Sequence, residues 1–262
     1  MVQLFNISNF AISQFLAETP ILWFMILFGL LIIYNVYTGI ENISRVAIIF
    51  LSVIIFMTVI STTGLIPTIE TSNLKPYLEN GIIPPLKAGI LLTITNVSPI
   101  FMLLIVKKDK IIENQKLTKY FTFFYFLAYL FAFLAIFLCL SSLGIYLCKI
   151  YQYPEYTVLK KISLFKFIER IENFVYIKWI LNSFITLSLV IYHISFSLKK
   201  ESKKLTPIIS TFLLIFLSNY IFKNNTLFYY IGLHYFPIIC LILLILYLII
   251  GINIFIRNKV KI

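Results

Sequence analysis

Apolar residues in this chain form seven long runs separated by polar connections, and this pattern predicts a bundle of membrane-spanning helices. The runs approach or exceed the length of about 20 residues that an α-helix needs to cross the hydrocarbon core of a bilayer. They cover residues 20–38, 46–66, 85–106, 120–147, 174–198, 205–222 and 228–256. The predicted fold class is therefore all-α: a polytopic membrane protein with seven transmembrane helices.

The third run, which lies within Gly81–Val106, is interrupted by polar residues next to a proline. Pro99 has no backbone N–H to donate and its ring clashes with the carbonyl of Thr95, so we expect the helix to break here. Many transporters place a substrate site at such a break, where protein or a wet cavity covers the irregular backbone. A Pro-kinked helix whose hydroxyls bond their own backbone is the alternative. The polar residues available to a ligand are Thr93, Thr95, Asn96 and Ser98.

Other polar or charged residues inside the runs are few. Lys87 and Lys178 lie close enough to run ends for their ammonium groups to extend to the interface. No Asp or Glu lies at the centre of a run, which argues against a proton relay of carboxylates. Polar residues of the fifth run either hold helices together by hydrogen bonds or line a site. They are Asn182, Ser183, Thr186 and Ser188.

Composition supports the membrane assignment, because 61% of the 262 residues are hydrophobic and only 12% are charged, against about 25% charged in soluble domains. The formal net charge of +12 is expected in connections that face the cytoplasm and anionic lipid, so we do not interpret it as a nucleic-acid-binding surface. Alternate connections carry thirteen Lys and Arg residues on one side and seven on the other. This asymmetry predicts an N-terminus outside and a C-terminus in the cytoplasm.

Enzymatic chemistry is not indicated. The sequence has no phosphate-binding loop, nucleophile elbow or zinc-protease motif. Cys139, Cys148 and Cys240 lie in apolar runs or at their ends, without the spacing of a metal or redox site. The acidic residues lie in connections or at the interface, with no pair placed for acid–base work. We therefore expect no catalytic residue, no metal and no cofactor.

The connection at residues 153–173 is basic and amphipathic. Apolar residues recur at helical spacing within Glu155–Asn173, which predicts one or two short helices lying at the interface. Such a segment either forms a lid over an outer vestibule or packs against the bundle for stability.

Several short motifs occur in a characteristic order along the chain. They are Thr19-Pro20, Tyr37-Thr38-Gly39-Ile40-Glu41 with Arg45, Asn73-Leu74-Lys75-Pro76 with Glu79-Asn80-Gly81, Tyr153-Pro154, and Phe167-Ile168-Glu169-Arg170-Ile171-Glu172. In this order and spacing the chain resembles the permease-like B subunit of bacterial spore germinant receptors, within the amino acid/polyamine/organocation transporter superfamily.

The resemblance implies a single permease-like domain with a ten-helix, LeuT-like fold built from a five-plus-five inverted repeat. The seven helices would correspond to helices four to ten, so that the chain would be N-terminally truncated, with the end of helix three in residues 1–15. Residues 1–66 would then end the first repeat, and residues 67–262 would form the second. The broken helix would be the sixth. Its Thr95-Asn96-Val97-Ser98-Pro99 stretch lacks the Gly and the acid of the family's Pro-Phe-Gly-Glu-like break.

The function implied by the resemblance is spore germination. The protein would lie in the cell or spore inner membrane, sense a small germinant such as an amino acid, and act with other receptor subunits. Two alternatives are a working amino acid transporter of the same superfamily and a shortened, inactive remnant that associates with other subunits. The implied ligand groups are Thr93, Thr95, Asn96 and Ser98, with Ser183 and Thr186 on the eighth helix nearby.

Overall fold

The computed structural model of the chain describes residues 1–75, 79, 81–95, 114–161, 170–197, 205–222 and 225–259. Every regular element in these residues is helical, which confirms the all-α prediction for this part of the chain. Two short 3-10 turns, Ile66–Thr68 and Thr71–Leu74, follow the third helix. The α-helices are α1 (Val2–Gln14), α2 (Ile21–Tyr37), α3 (Ile40–Leu65), α4 (Ile83–Thr95), α5 (Asn114–Ile150), α6 (Pro154–Leu159), α7 (Asn173–Ser197), α8 (Thr206–Ile221), α9 (Asn225–His234) and α10 (Phe236–Lys259).

Each of the seven apolar runs coincides with helix in the described residues. The seventh run is divided between α9 and α10, and α4 covers the first part of the third run. The predicted break before Pro99 lies outside the described residues. Four described stretches are long and apolar enough to cross a membrane: Ile40–Thr68, Lys119–Ile150, Asn173–Ser195 and Thr226–Leu246. Shorter apolar helices lie at Ile21–Tyr37, Ile83–Ile94 and Thr206–Ile221.

The chain divides into two compact units, and the first contains α1–α3, α6–α8 and nearly all of α5. Its central helix is α2, which packs against α1, α3, α7 and α8. The buried residues Met25, Phe28, Ile32 and Val36 recur along α2 at spacings of three and four. Such spacing places them on one face of the helix, where they fill the space between the neighbouring helices.

Helix α1 is part of the core of the first unit. It packs against α2, α7 and α8, and Leu4, Phe10 and Ala11 are completely buried. Several polar residues of α1 make hydrogen bonds, among them Gln3, Ser8 and Asn9. The Ser8 hydroxyl, for example, is fully buried and donates to the carbonyl of Leu4 at 2.7 Å.

Helix α5 is interrupted at Gly144, whose backbone angles (φ 77°, ψ 164°) are not helical. The interruption leaves carbonyl groups of the preceding turn without helical partners. Neighbouring segments replace those partners. The carbonyl of Ser141 accepts hydrogen bonds from the backbone N–H of Glu70 and from Nδ2 of Asn73, at 3.2 and 2.9 Å. The carbonyl of Ser142 accepts from Nζ of Lys161 at 2.9 Å.

The second unit contains α4, α9 and α10. Within it, α10 packs against both α4 and α9. The boundary between α9 and α10 falls at Tyr235, two residues before Pro237, whose missing N–H prevents a regular helix through this point.

Large apolar side chains cover the outer faces of the long helices. Leu27, Ile48 and Phe212 are each more than 60% exposed. A soluble protein rarely exposes apolar patches of this extent, whereas lipid solvates them without cost. The exposed apolar faces therefore agree with the membrane assignment made from composition.

Candidate functional site

Two of the four candidate residues around the predicted helix break lie within the described residues. Thr93 is exposed on α4, and its hydroxyl donates to the carbonyl of Gly89 at 2.8 Å. Thr95 is the last residue of α4. Asn96 and Ser98 lie outside the described residues.

The two candidates on the fifth run share α7. Ser183 is buried, and its hydroxyl oxygen accepts a hydrogen bond from Nε2 of Gln3 at 2.7 Å. The Thr186 hydroxyl donates to the carbonyl of Asn182 at 2.9 Å. The structure thus brings Ser183 and Thr186 together on one helix of the first unit, and it assigns Thr93 and Thr95 to the second unit.

A buried polar contact continues along α7. Nδ2 of Asn35 on α2 donates to the hydroxyl of Ser188 at 3.0 Å, and both side chains are almost completely buried. Together with the bond between Gln3 and Ser183, it joins α1, α2 and α7 by side-chain hydrogen bonds. The sequence offered two roles for these residues of α7, lining a site or holding helices together. Hydrogen bonds between helices are of the second kind.

A cavity of about 60 Å³ lies between α3, α5, α6 and α7 in the first unit. Two charged residues face it, Glu155 from α6 and Lys178 from α7. One wall is polar and carries hydroxyl groups of α3. Those hydroxyl-bearing residues are Thr58, Ser61 and Thr62. The other walls are mainly apolar, with Leu65, Leu138 and Val175 among the residues that form them.

The position of Lys178 differs from the expectation that its ammonium group extends to the interface. Its side chain is partly buried and lines the cavity, as does Glu155. Burial raises the pKa of the Glu155 carboxyl above its usual range, while attraction to the Lys178 ammonium acts in the opposite direction. The sequence places Glu155 in a connection or at the interface. The structure adds that α6 packs against the bundle, so that Glu155 also lines the cavity.

Sequence reasoning missed this cavity, although two signals in the sequence point to it. Thr58, Ser61 and Thr62 are spaced three and four apart, which places their hydroxyls on one face of α3. Lys178 lies several residues inside the stretch Asn173–Ser195, and intramembrane cations usually mark a function or a partner.

Aromatic residues fix the segment that carries Glu155. The Tyr153-Pro154 pair immediately precedes it, and Pro154 is the first residue of α6, where its missing N–H costs nothing. The hydroxyl of Tyr153 accepts a hydrogen bond from Nδ2 of Asn9 at 3.1 Å. The ring of Tyr153 meets that of Phe10 edge to face, with centroids 4.6 Å apart. Helix α1 thereby holds the start of α6 in place.

The amphipathic connection packs against the bundle in its described part. Val158 and Leu159 of α6, and Ile171 just before α7, are buried in a cluster with Leu138 and Leu143 of α5. Residues 162–169 lie outside the described residues. Within the described residues, no group of three His, Cys, Asp or Glu side chains is placed to hold a metal ion.

Comparison with known proteins finds one family. A family model described as spore germination protein matches residues 2–228, which is most of the chain. Spore germination protein XB of Bacillus anthracis is 27% identical over 203 residues, or 78% of this chain and 56% of the relative. The chain therefore spans about half the length of that relative. No solved structure matches the chain significantly.

Proposed function

The chain belongs to the spore germination protein family, and we propose that it is the membrane B subunit of a germinant receptor, which senses a small molecule such as an amino acid. The observation that carries this proposal is the match to the family over residues 2–228 of an integral membrane protein. The relative from Bacillus anthracis, which is named as a spore germination protein, supports the same assignment.

The proposed mechanism is a shift between two arrangements of the helix bundle. The germinant would bind one arrangement more tightly, and the difference in affinity would set the size of the shift. Partner subunits in the spore inner membrane would then respond to the favoured arrangement. In this proposal the N-terminus faces outward, and the seven helices correspond to helices four to ten of a LeuT-like ten-helix fold, with residues 1–66 ending the first repeat and 67–262 forming the second.

The proposed germinant contacts are polar groups near the predicted helix break, in the second unit, and hydroxyls of α7, in the first unit, and each set is considered within its own unit. The hydroxyl of Thr93 uses its proton on the Gly89 carbonyl, so its oxygen is left to accept from a ligand ammonium. The hydroxyl of Ser183 accepts from Gln3, so its own proton is left for a ligand carboxylate. The full proposed set is Thr93, Thr95, Asn96, Ser98, Ser183 and Thr186.

Replacing Asn96 and Ser98 together with alanine is expected to raise the germinant concentration for half-maximal spore germination about tenfold. Two lost hydrogen bonds of roughly 0.5–1.5 kcal/mol each account for a change of this size. The measurement is the dose response of germination in spores that carry the double variant in place of the natural gene.

The matched control is Asn42→Ala with Ser44→Ala, which removes the same two side chains from the start of α3, where Ser44 is exposed. An unchanged dose response in the Asn96/Ser98 variant, with normal amounts of protein in the membrane, would remove the proposed site.

Uptake of labelled amino acid into proteoliposomes separates sensing from transport, since a receptor binds its ligand without net flux.

A further inference from the structure

We propose that the cavity between α3, α5, α6 and α7 is a second binding site, which takes a small zwitterion carrying one ammonium and one carboxylate group. It lies wholly within the first unit. The proposal goes beyond the germinant site, because the cavity is lined by none of the residues assigned to that site.

The two charges of the cavity define the ends of the ligand. Glu155 and Lys178 face the same space from different helices. Among the described residues the structure records no direct ion pair for either of them, although their charges attract each other. A charged group that is partly removed from water is stabilised by a counter-charge with hydrogen bonds. A zwitterion supplies both counter-charges at once, with its ammonium at Glu155 and its carboxylate at Lys178.

The hydroxyl wall makes the cavity richer in acceptors than in donors. The Ser61 hydroxyl donates to the carbonyl of Met57 at 2.7 Å, and the Thr62 hydroxyl donates to the carbonyl of Thr58 at 2.8 Å. Their protons are therefore used within α3, while their oxygens can still accept. An ammonium group has three protons to donate, and one carboxylate cannot accept all of them. The hydroxyl oxygens of Ser61 and Thr62 complete the set of acceptors.

The volume of the cavity and the residues that line it limit the size of the ligand's side chain. A volume of about 60 Å³ holds about four water molecules at roughly 15 Å³ each by this measure. The smallest amino acids match the volume of those waters. Leu65, Leu138 and Val175 provide apolar surface for a short side chain, so alanine is the size class that the cavity favours.

Such a ligand would join two parts of the chain. Glu155 belongs to α6 in the connection after α5, and Lys178 belongs to the long helix α7. A zwitterion between them bridges the connection to the bundle and favours the arrangement in which α6 is docked.

The test is saturable binding of tritiated L-alanine to the purified full chain in lipid nanodiscs. The protein carries Asn96→Ala and Ser98→Ala, which are expected to weaken the proposed germinant site about tenfold, so that a loss of binding there is scored separately from binding in the cavity. We expect binding in this background, and at least a tenfold loss of affinity when Glu155→Gln and Lys178→Gln are added together. The neutral pair avoids leaving one unpaired charge inside the protein, which single variants would do.

The matched control is Glu18→Gln with Lys149→Gln, which removes one acid and one base from exposed positions; binding is expected to be unchanged. A competition experiment with analogues of L-alanine tests the cavity without any substitution in it. Ethylamine and propionate are alanine without the carboxylate and without the ammonium, and each is expected to compete at least tenfold more weakly than L-alanine. Absence of saturable binding, equal affinity in the Glu155/Lys178 variant, or equal competition by either analogue would overturn the proposal.

Discussion

Replacing Phe10 with alanine is expected to lower the free energy of unfolding by about 3–5 kcal/mol, the range for removing a large buried aromatic side chain. The ring is completely buried. Its centroid lies 4.6, 5.0 and 5.3 Å from those of Tyr153, Tyr156 and Trp179. Alanine leaves a cavity where α1, α6 and α7 meet. The measurement is unfolding of the purified protein by titration with a denaturing detergent.

Two controls separate this effect from a general intolerance of change in α1. Phe10→Leu keeps much of the volume and is expected to lose clearly less stability than Phe10→Ala. Phe15→Ala removes the same ring from a side chain that is 40% exposed and is expected to change the stability by about 1 kcal/mol or less. If Phe10→Ala unfolds at the same detergent fraction as the natural protein, α1 is not packed against α6 and α7.

Replacing Gly144 with alanine is expected to cost about 1–3 kcal/mol, the penalty for holding a non-glycine residue in a glycine-only backbone conformation. The φ angle of 77° and ψ angle of 164° belong to that region. A Cβ at this position would lie 3.7 Å from the Asn73 side chain, which is ordinary contact, so the cost comes from the backbone and not from a clash. The same unfolding titration measures it.

Gly89→Ala is the matched control, because Gly89 lies inside α4 and a Cβ there has open space. In a regular helix this exchange is expected to be neutral or to stabilise by about 0.5–1 kcal/mol. Equal effects of the two exchanges would mean that α5 runs through Gly144 as a regular helix. The carbonyls of Ser141 and Ser142 would then have helical partners and would not need the bonds from Asn73 and Lys161.

The positions of the helices could be predicted from the sequence because the bilayer imposes both length and composition on a span. The interruption at Gly144 could not. The run at 120–147 is predominantly apolar, and glycine is common in membrane helices. The carbonyls that the interruption frees, those of Ser141 and Ser142, are bonded by Asn73 and Lys161 from other segments, and no local pattern indicates these partners.

The sequence singles out the polar residues of the apolar runs, but it does not indicate their partners. Ser183 stands out in the sequence as a polar residue in an apolar run, but its partner Gln3 is 180 residues away in the chain. The sequence predicts Glu155 to be an interfacial residue because it lies in the amphipathic connection at residues 153–173. Its place beside the cavity follows from the packing of α6 against α3 and α7, which is a tertiary effect.

The most direct test of the proposed germinant receptor is the germination of spores from which this gene has been deleted, measured against a panel of single amino acids. We expect the deletion to abolish the response to at least one amino acid, and the natural gene supplied in trans to restore it. Unchanged responses to every amino acid, with the protein present in the membrane of natural spores, would contradict a role in sensing such a germinant.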